Sequence, residues 1–214
     1  MKTLILGATG GTGRALTEQA LQEGDDVVVV VRNVAKLGDL ASRCQVLEGS
    51  PSDTSVLREA LVGVDRVLSG LGPVKGDTGF AIRDIYQALI ASMEEAGVSR
   101  LLMVTGAGVK DARDEGSALR SMIRGVMKLV AKRALADSEA AHQLVIESPL
   151  LYTIARVPIL VDQGGCKPPL IGDYVPTGAI KMNRSDIAHW LINAANNNLH
   201  CRESLMLKPA GAGK

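Results

Sequence analysis

Aromatic side chains are scarce in this chain: one Phe, one Trp and three Tyr among 214 residues. A core must therefore be built from Leu, Val, Ile, Ala and Met. A content of 46% hydrophobic and 22% charged residues is ordinary for a globular chain long enough to bury one core. Excess charge is also missing. A formal net charge of +1 gives no general pull on nucleic acid or a membrane surface, so neither partner is expected. No apolar run reaches the ~20 residues of a membrane span, and the chain enters an apolar strand at once without a signal peptide, which points to a cytoplasmic protein. Cys44, Cys166 and Cys201 are odd in number and far apart. They fit reduced thiols better than a disulfide framework or a zinc site. His142, His189 and His200 are equally scattered, and no metal is expected.

What is present begins at the N-terminus. The apolar run Thr3-Leu4-Ile5-Leu6 ends directly in Gly7-Ala8-Thr9-Gly10-Gly11-Thr12-Gly13. A buried strand that turns into a helix in this way can cradle a phosphate. Gly7 takes the tight turn, Gly10 lets the backbone approach a pyrophosphate, and Gly13 lets the helix pack close to the sheet. The unpaired N–H groups of the helix starting near Gly11 face the anion. An amphipathic helix follows, Gly24 stops it, and Val27 to Val31 form a second apolar strand, completing one βαβ unit.

The residues after the second strand bear on the choice of dinucleotide. An Asp or Glu there would hold the ribose 2′-OH of NAD, whereas an Arg receives the 2′-phosphate of NADP. The chain has Val31-Arg32-Asn33 and no carboxylate. Arg32 offers a planar fork of donors, with Asn33 and Lys36 as supports, so NADP(H) is the expected cofactor.

The βα alternation continues without a linker. Strands are expected at about 3–7, 26–31, 44–48, 65–69, 99–104 and 150–156, with a late one near 204–208. Helices are expected at about 11–23, 53–61, 79–96, 117–146 and 185–197. This implies a Rossmann-type α/β fold, a doubly wound parallel sheet in three α/β/α layers with strand order 3-2-1-4-5-6. One domain spans 1–214, with a small C-terminal substrate rim from about 157. The active crevice should lie beyond the C-terminal ends of strands 1, 4 and 5, where three loops meet: the glycine loop, Ser69-Gly70-Leu71-Gly72-Pro73, and Thr105-Gly106-Ala107-Gly108. Asp53 reads as an N-cap for the helix after the third strand.

These features resemble the short-chain dehydrogenase/reductases, and within them the atypical members with an NmrA-like or NAD(P)H-binding domain, a group that includes biliverdin reductase B and NADPH-dependent flavin or quinone reductases. The resemblance rests on Gly7 to Gly13, Arg32-Asn33, the Thr105-Gly106-Ala107-Gly108 turn, Thr153-Ile154-Ala155-Arg156-Val157-Pro158 and Arg184-Ser185-Asp186-Ile187-Ala188. It implies a cofactor set of Gly7, Thr9, Gly10, Gly11, Thr12, Gly13, Arg32, Asn33, Ser50, Leu71, Gly72, Thr105 and Gly106. Ser50 stands where the family usually has the Asp that bonds the adenine amino group.

The family's standard members also use Tyr-x-x-x-Lys on the helix after strand 5, the Lys lowering the Tyr pKa so that the phenol exchanges a proton with a carbonyl. Here the nearest pattern is Arg124-Gly125-Val126-Met127-Lys128, and Tyr86, Tyr152 and Tyr174 lie elsewhere. Ketone or alcohol redox by that route is not expected. Acceptors that take their proton from solvent remain: flavins, quinones and tetrapyrrole-like rings. Thr105 and Lys128 are the candidate catalytic residues, Thr105 by touching substrate oxygen or the nicotinamide amide. Arg120, Arg124, Lys128 and Lys132 recur every fourth residue, a stripe that suits an anionic acceptor or a solvated helix face. The charged segment Lys110 to Glu115 reads as a mobile loop able to close over the site. Two other functions fit the motifs: an NADP(H)-binding redox sensor or assembly factor that turns nothing over, and a sugar-type epimerase or dehydratase, for which the C-terminal segment is short. The chain is expected to act as a monomer or homodimer.

Overall fold

Strands whose residues are apolar at successive positions can only be buried on both faces, and this governs the architecture. The structure, a computed structural model, describes residues 1–73, 81–114, 125, 131–163, 167–172 and 181–210. In β1 (Lys2–Leu6), Leu4 and Leu6 enter one core while Ile5 enters the other; in β2 (Asp26–Val31), Val28 and Val30 oppose Val27, Val29 and Val31. The main sheet continues with β3 (Gln45–Glu48), β4 (Arg66–Ser69), β5 (Arg100–Gly106) and β6 (Leu151–Val157). Its strand order is β3-β2-β1-β4-β5-β6, all parallel, as the crossover rule requires.

Two strands extend this order. β10 (Glu203–Lys208) pairs parallel with β6, and β8 (Leu170–Ile171) closes the edge antiparallel to β10. Between them in sequence, β7 (Ile159–Val161) and β9 (Lys181–Asn183) form a separate parallel pair.

One face of the sheet carries α2 (Thr54–Ala60), α3 (Ala81–Ala96) and α4 (Lys132–Glu147), with α3 packed on α4. The other carries α1 (Gly11–Gln22) packed on α5 (Arg184–Asn196). Asp53 caps α2 as expected, its Oδ1 accepting from Ser55 N at 2.9 Å. The start of α3 is capped from outside: Asp137 on α4 accepts from Ile82 N at 3.0 Å and from Arg83 N at 2.8 Å.

Besides the short strands β7, β8 and β9, two elements differ from the sequence expectation. The helix expected over 117–146 does not run unbroken, because Ala131 is non-helical (φ −141, ψ 40) and α4 starts at Lys132. Val34–Ser42 forms two 3-10 turns joined at Gly38, whose φ of +60 suits glycine, and Asn33 caps them by accepting from Ala35 N at 3.0 Å.

At the N-terminal end of the sheet, two buried arginines start β4 and β5. Arg66 bonds Thr3, Asp25 and Asn196; Arg100 bonds the carbonyls of Leu151 and Leu199 and the Thr153 hydroxyl. The opposite, C-terminal end is thereby left as the open one.

Candidate functional site

Three glycines interlock where β1 meets α1. Gly7 turns the chain at φ +82, and Gly10 N donates back to Gly7 O at 2.9 Å. A Cβ on Gly13 would lie 2.0 Å from Gly7 O, and one on Gly70 would lie 2.6 Å from Gly13 N. Only glycine lets β1, β4 and α1 approach this closely. Gly10 is different: a Cβ there would meet nothing nearer than Gly7 O at 3.4 Å. It is the N-cap of α1, with no side-chain cap bond and no acidic residue in the first turn. Thr9, Gly10 and Gly11 are exposed. The helix end thus presents its N–H groups and positive dipole to the outside, which fits the diphosphate of a dinucleotide.

A cleft of about 180 Å³ opens beside this loop. It is lined by Thr12 and Gly70 to Pro73, by Met103 to Gly106, and by Ile82, Ser138, Ala141, Val157, Pro158 and Leu160. The structure therefore brings Thr12, Leu71, Gly72, Thr105 and Gly106 together at the C-terminal ends of β4 and β5. Arg32, Asn33 and Ser50 lie apart from that cleft, just past the ends of β2 and β3. Gly49 N joins these two ends by donating to Val31 O at 2.9 Å. Arg32 is exposed and takes part in no hydrogen bond or ion pair among the described residues. Asn33 spends its carbonyl oxygen on the cap already described. Ser50 Oγ lies 2.8 Å from Ser52 Oγ. Lys128, Arg120, Arg124 and Tyr174 lie outside the described residues; Lys132 is exposed at the start of α4.

Two tyrosines can be placed. Tyr86 is fully buried, and burial pushes its phenol well above the ordinary tyrosine range while its OH donates to Ser69 Oγ at 2.7 Å. Tyr152 is buried in β6. Neither lines the cleft.

The charged segment after β5 is anchored, which corrects its reading as a mobile loop over 110–114. Asp111 is buried and accepts from Arg113 N and Nε at 2.9 and 3.0 Å. Burial alone would raise its carboxyl, but the bonds from Arg113 hold it far below the usual carboxylate range. Arg156 grips Asp114 through two 2.7 Å bonds. Burial lowers the His142 pKa, so the ring is neutral near pH 7 and its Nε2, 3.0 Å from Ser204 Oγ and 3.4 Å from Asp111, makes no ion pair. Asp111 pairs with Arg113 and Asp114 with Arg156, which is a strut between β6 and the loop. Glu115 lies outside the described residues.

Sequence reasoning missed Ser138 and Arg184. Ser138 reaches the cleft from α4, where nothing in its neighbours marks it. Arg184 crosses Gly11, and its only sequence signal is its place at the start of a recurring motif.

Comparison with known proteins agrees with this geometry. Residues 7–198 match the NAD(P)H-binding family, and the chain belongs to it. Among curated proteins, YwnB of Bacillus subtilis is 30% identical over 108 residues, 50% of this chain and 48% of that protein, so the match spans about half of that relative's length. Among solved structures, ChuY, an anaerobillin reductase from Escherichia coli O157:H7, superposes over 100% of both chains with a TM-score of 0.81 at 24% identity. A short-chain dehydrogenase/reductase from Veillonella parvula in complex with NADP covers 100% of this chain and 96% of its own, with a TM-score of 0.80 at 17% identity. These likenesses establish the Rossmann-type fold. The family match makes this an NAD(P)H-binding chain. Among the described residues no helix is long and apolar enough to cross a membrane.

Proposed function

We propose that the chain is an NADP(H)-dependent reductase of a small conjugated acceptor, a flavin, a quinone or a tetrapyrrole-like ring, working without a Tyr-x-x-x-Lys acid. The observation that carries this reading is the lining of the cleft. Among the described residues it contains three hydroxyls, on Thr12, Thr105 and Ser138, and no ionisable side chain. The cofactor, when bound, supplies a hydride. The chain's own contribution is proximity and orientation. Leu71, Pro73, Ile82, Val157, Pro158 and Leu160 give the cleft an apolar lining suited to a flat ring. The hydroxyls orient polar atoms, and an acceptor with an extended π system carries the incoming charge until solvent protonates it. In this reading 1–214 is one cofactor-binding domain, and the β7–β9 pair forms the substrate rim. A tetrapyrrole-like acceptor is one of the three classes, and the anaerobillin reductase ChuY shares the fold.

The test is to follow NADPH absorbance with a panel of flavins, quinones and biliverdin. Oxidation of NADPH by one of them is expected. Tight NADPH binding with no turnover across the panel would favour the second reading, an NADP(H)-binding sensor, which the same non-ionisable lining also suits.

Two substitutions probe the details. Arg32, exposed at the end of β2 and in no hydrogen bond or ion pair among the described residues, is the group matched to a 2′-phosphate. Arg32→Ala should weaken NADPH by roughly ten- to hundredfold, the worth of a charge-assisted bond of about 1.5–3 kcal/mol, and leave NADH nearly unchanged in a binding titration. Equal losses for both would remove the NADP assignment. Thr105→Val should lower turnover by no more than about tenfold, and Lys128→Met should act as modestly through substrate binding. A well-placed general acid is worth about 10²–10⁴-fold. A loss beyond a thousandfold in either variant with cofactor binding intact would reveal a proton relay and reopen carbonyl reduction.

A further inference from the structure

The side chain of Arg184 runs back from the first turn of α5 across the first turn of α1. A Cβ on Gly11 would lie 2.7 Å from its Nε, 3.0 Å from Cδ and 3.1 Å from Cζ, so the guanidinium rests on the glycine loop itself. Its Nη1 donates to Asp162 at 2.7 Å. Its Nε is buried and has no hydrogen-bond partner among the described residues.

This is an adverse place for a cation. The end of α1 is positive, uncapped by any side chain and without an acidic residue in its first turn. Arg184 also stands at the positive end of its own helix, where Asn183 makes no cap bond and Asp186 is already engaged by Lys167 N at 2.9 Å. Among the described residues the carboxylate paired with the guanidinium is on Asp162, whose side chain is 74% exposed against 25% for Arg184. A pair so open to water is weak. Two helix ends and a guanidinium with an unused, buried donor converge on one point. That point adjoins the loop already read as the diphosphate cradle.

We infer that Arg184 is a ligand of the cofactor diphosphate, lying over the first turn of α1 and exchanging its bond to Asp162 for one to a phosphate oxygen. The inference rests on the nicotinamide-dinucleotide reading of the glycine loop and adds a side-chain contact to what the loop's backbone offers. Arg184 and Arg32 then divide the two anionic parts of NADPH. Arg32 reads the 2′-phosphate that distinguishes the two cofactors, whereas Arg184 reads the diphosphate that they share. Asp162, one residue past β7, competes with that phosphate for the guanidinium.

The experiment is a titration of NADPH, NADH and ADP-ribose into the wild-type chain and into Arg184→Gln, Arg184→Lys and Asp162→Asn. Arg184→Gln should weaken all three ligands by a similar factor, about tenfold or more, unlike Arg32→Ala, which selects NADPH. Arg184→Lys should fall between, since a point charge replaces a planar fork. Asp162→Asn should tighten all three. If Arg184→Gln does not fold, the Asp162→Asn result decides: tighter binding supports the contact, and unchanged or weaker binding overturns it. Wild-type binding with no loss in folded Arg184→Gln defeats the inference alone. Failure of the wild-type chain to bind any of the three would instead defeat the dinucleotide reading beneath it.

Discussion

Gly10→Val is expected to abolish NADPH binding, a loss of about a hundredfold or more, while the protein keeps its fold and melts close to the wild-type temperature. The reason lies in what surrounds the position. At φ −96 the backbone suits any residue, the site is exposed, and a Cβ would meet only Gly7 O at 3.4 Å. Nothing in the protein itself therefore demands glycine. The demand comes from outside: Gly10 is the N-cap through which an anion must reach the first N–H groups of α1, and an isopropyl group would stand in its path. A hundredfold loss corresponds to roughly 2.7 kcal/mol. Gly13→Ala supplies the contrast. Its Cβ would be 2.0 Å from the Gly7 carbonyl oxygen, a backbone atom that cannot swing aside. That variant should melt well below wild type whether or not cofactor is present. Thermal melts and a fluorescence titration on both variants separate the roles. Normal NADPH affinity in Gly10→Val would mean that the loop is only a turn, and the cofactor reading would fall with it.

The contrast also shows which parts of the molecule are legible in the sequence. A glycine's requirement is local, so the turn at Gly7 and the close packing at Gly13 can be read from a dozen residues. Val27 to Val31 announces a strand covered on both faces, and from a series of such strands the crossover rule yields the order of the parallel sheet. β7, β8 and β9 are two or three residues long, too short to show any periodicity. The break before α4 is hidden because Ala131, Lys132, Arg133 and Ala134 all favour helix and no capping residue marks the boundary. The segment from Lys110 to Asp114 looks mobile in sequence because it is charged, yet Asp111 pairs with Arg113 and Asp114 with Arg156. Asn33 illustrates a competition: it was a candidate cofactor ligand, and its oxygen caps the following 3-10 turns. Ser138 and Arg184 could not be read as site residues because tertiary packing alone carries Ser138 to the cleft and Arg184 to the loop.

Replacement of Arg66 should produce the largest loss of stability. Arg66 is 1% exposed, and its guanidinium bonds Asp25 Oδ2 at 2.6 Å, Thr3 Oγ1 at 2.9 Å and Asn196 Oδ1 at 2.6 Å, joining β1, β4, the turn before β2 and the end of α5. Arg66→Met keeps much of the aliphatic volume but removes the guanidinium from the buried Asp25 carboxylate, leaving it Thr3 and the N-terminal ammonium 3.4 Å away. Breaking a buried pair in this way costs about 3–5 kcal/mol, or roughly 6–20 °C in melting temperature for a chain of this size. The dependence on pH gives the loss a signature. In the wild type, burial pushes the Asp25 carboxyl up, but its bonds from Thr3 and Arg66 outweigh that effect and hold it below the ordinary range. A depressed carboxyl contributes stability that is complete above the unfolded value of about 3.9 and is lost as pH falls through the folded one. Without Arg66 the carboxyl keeps Thr3 and the N-terminal ammonium, 3.4 Å away, but loses the guanidinium and rises from its wild-type value, so the variant's deficit is largest at neutral pH. Its deficit relative to wild type should shrink as the pH falls below about 4, where Asp25 can be carried as the neutral acid. The double variant Arg66→Met/Asp25→Asn should recover part of the loss at pH 7 by removing the buried charge. Melts at pH 7 and pH 4 test this directly. A single variant within about 2 °C of wild type at pH 7, or a deficit that grows on acidification, would show that the network does not anchor this end of the sheet.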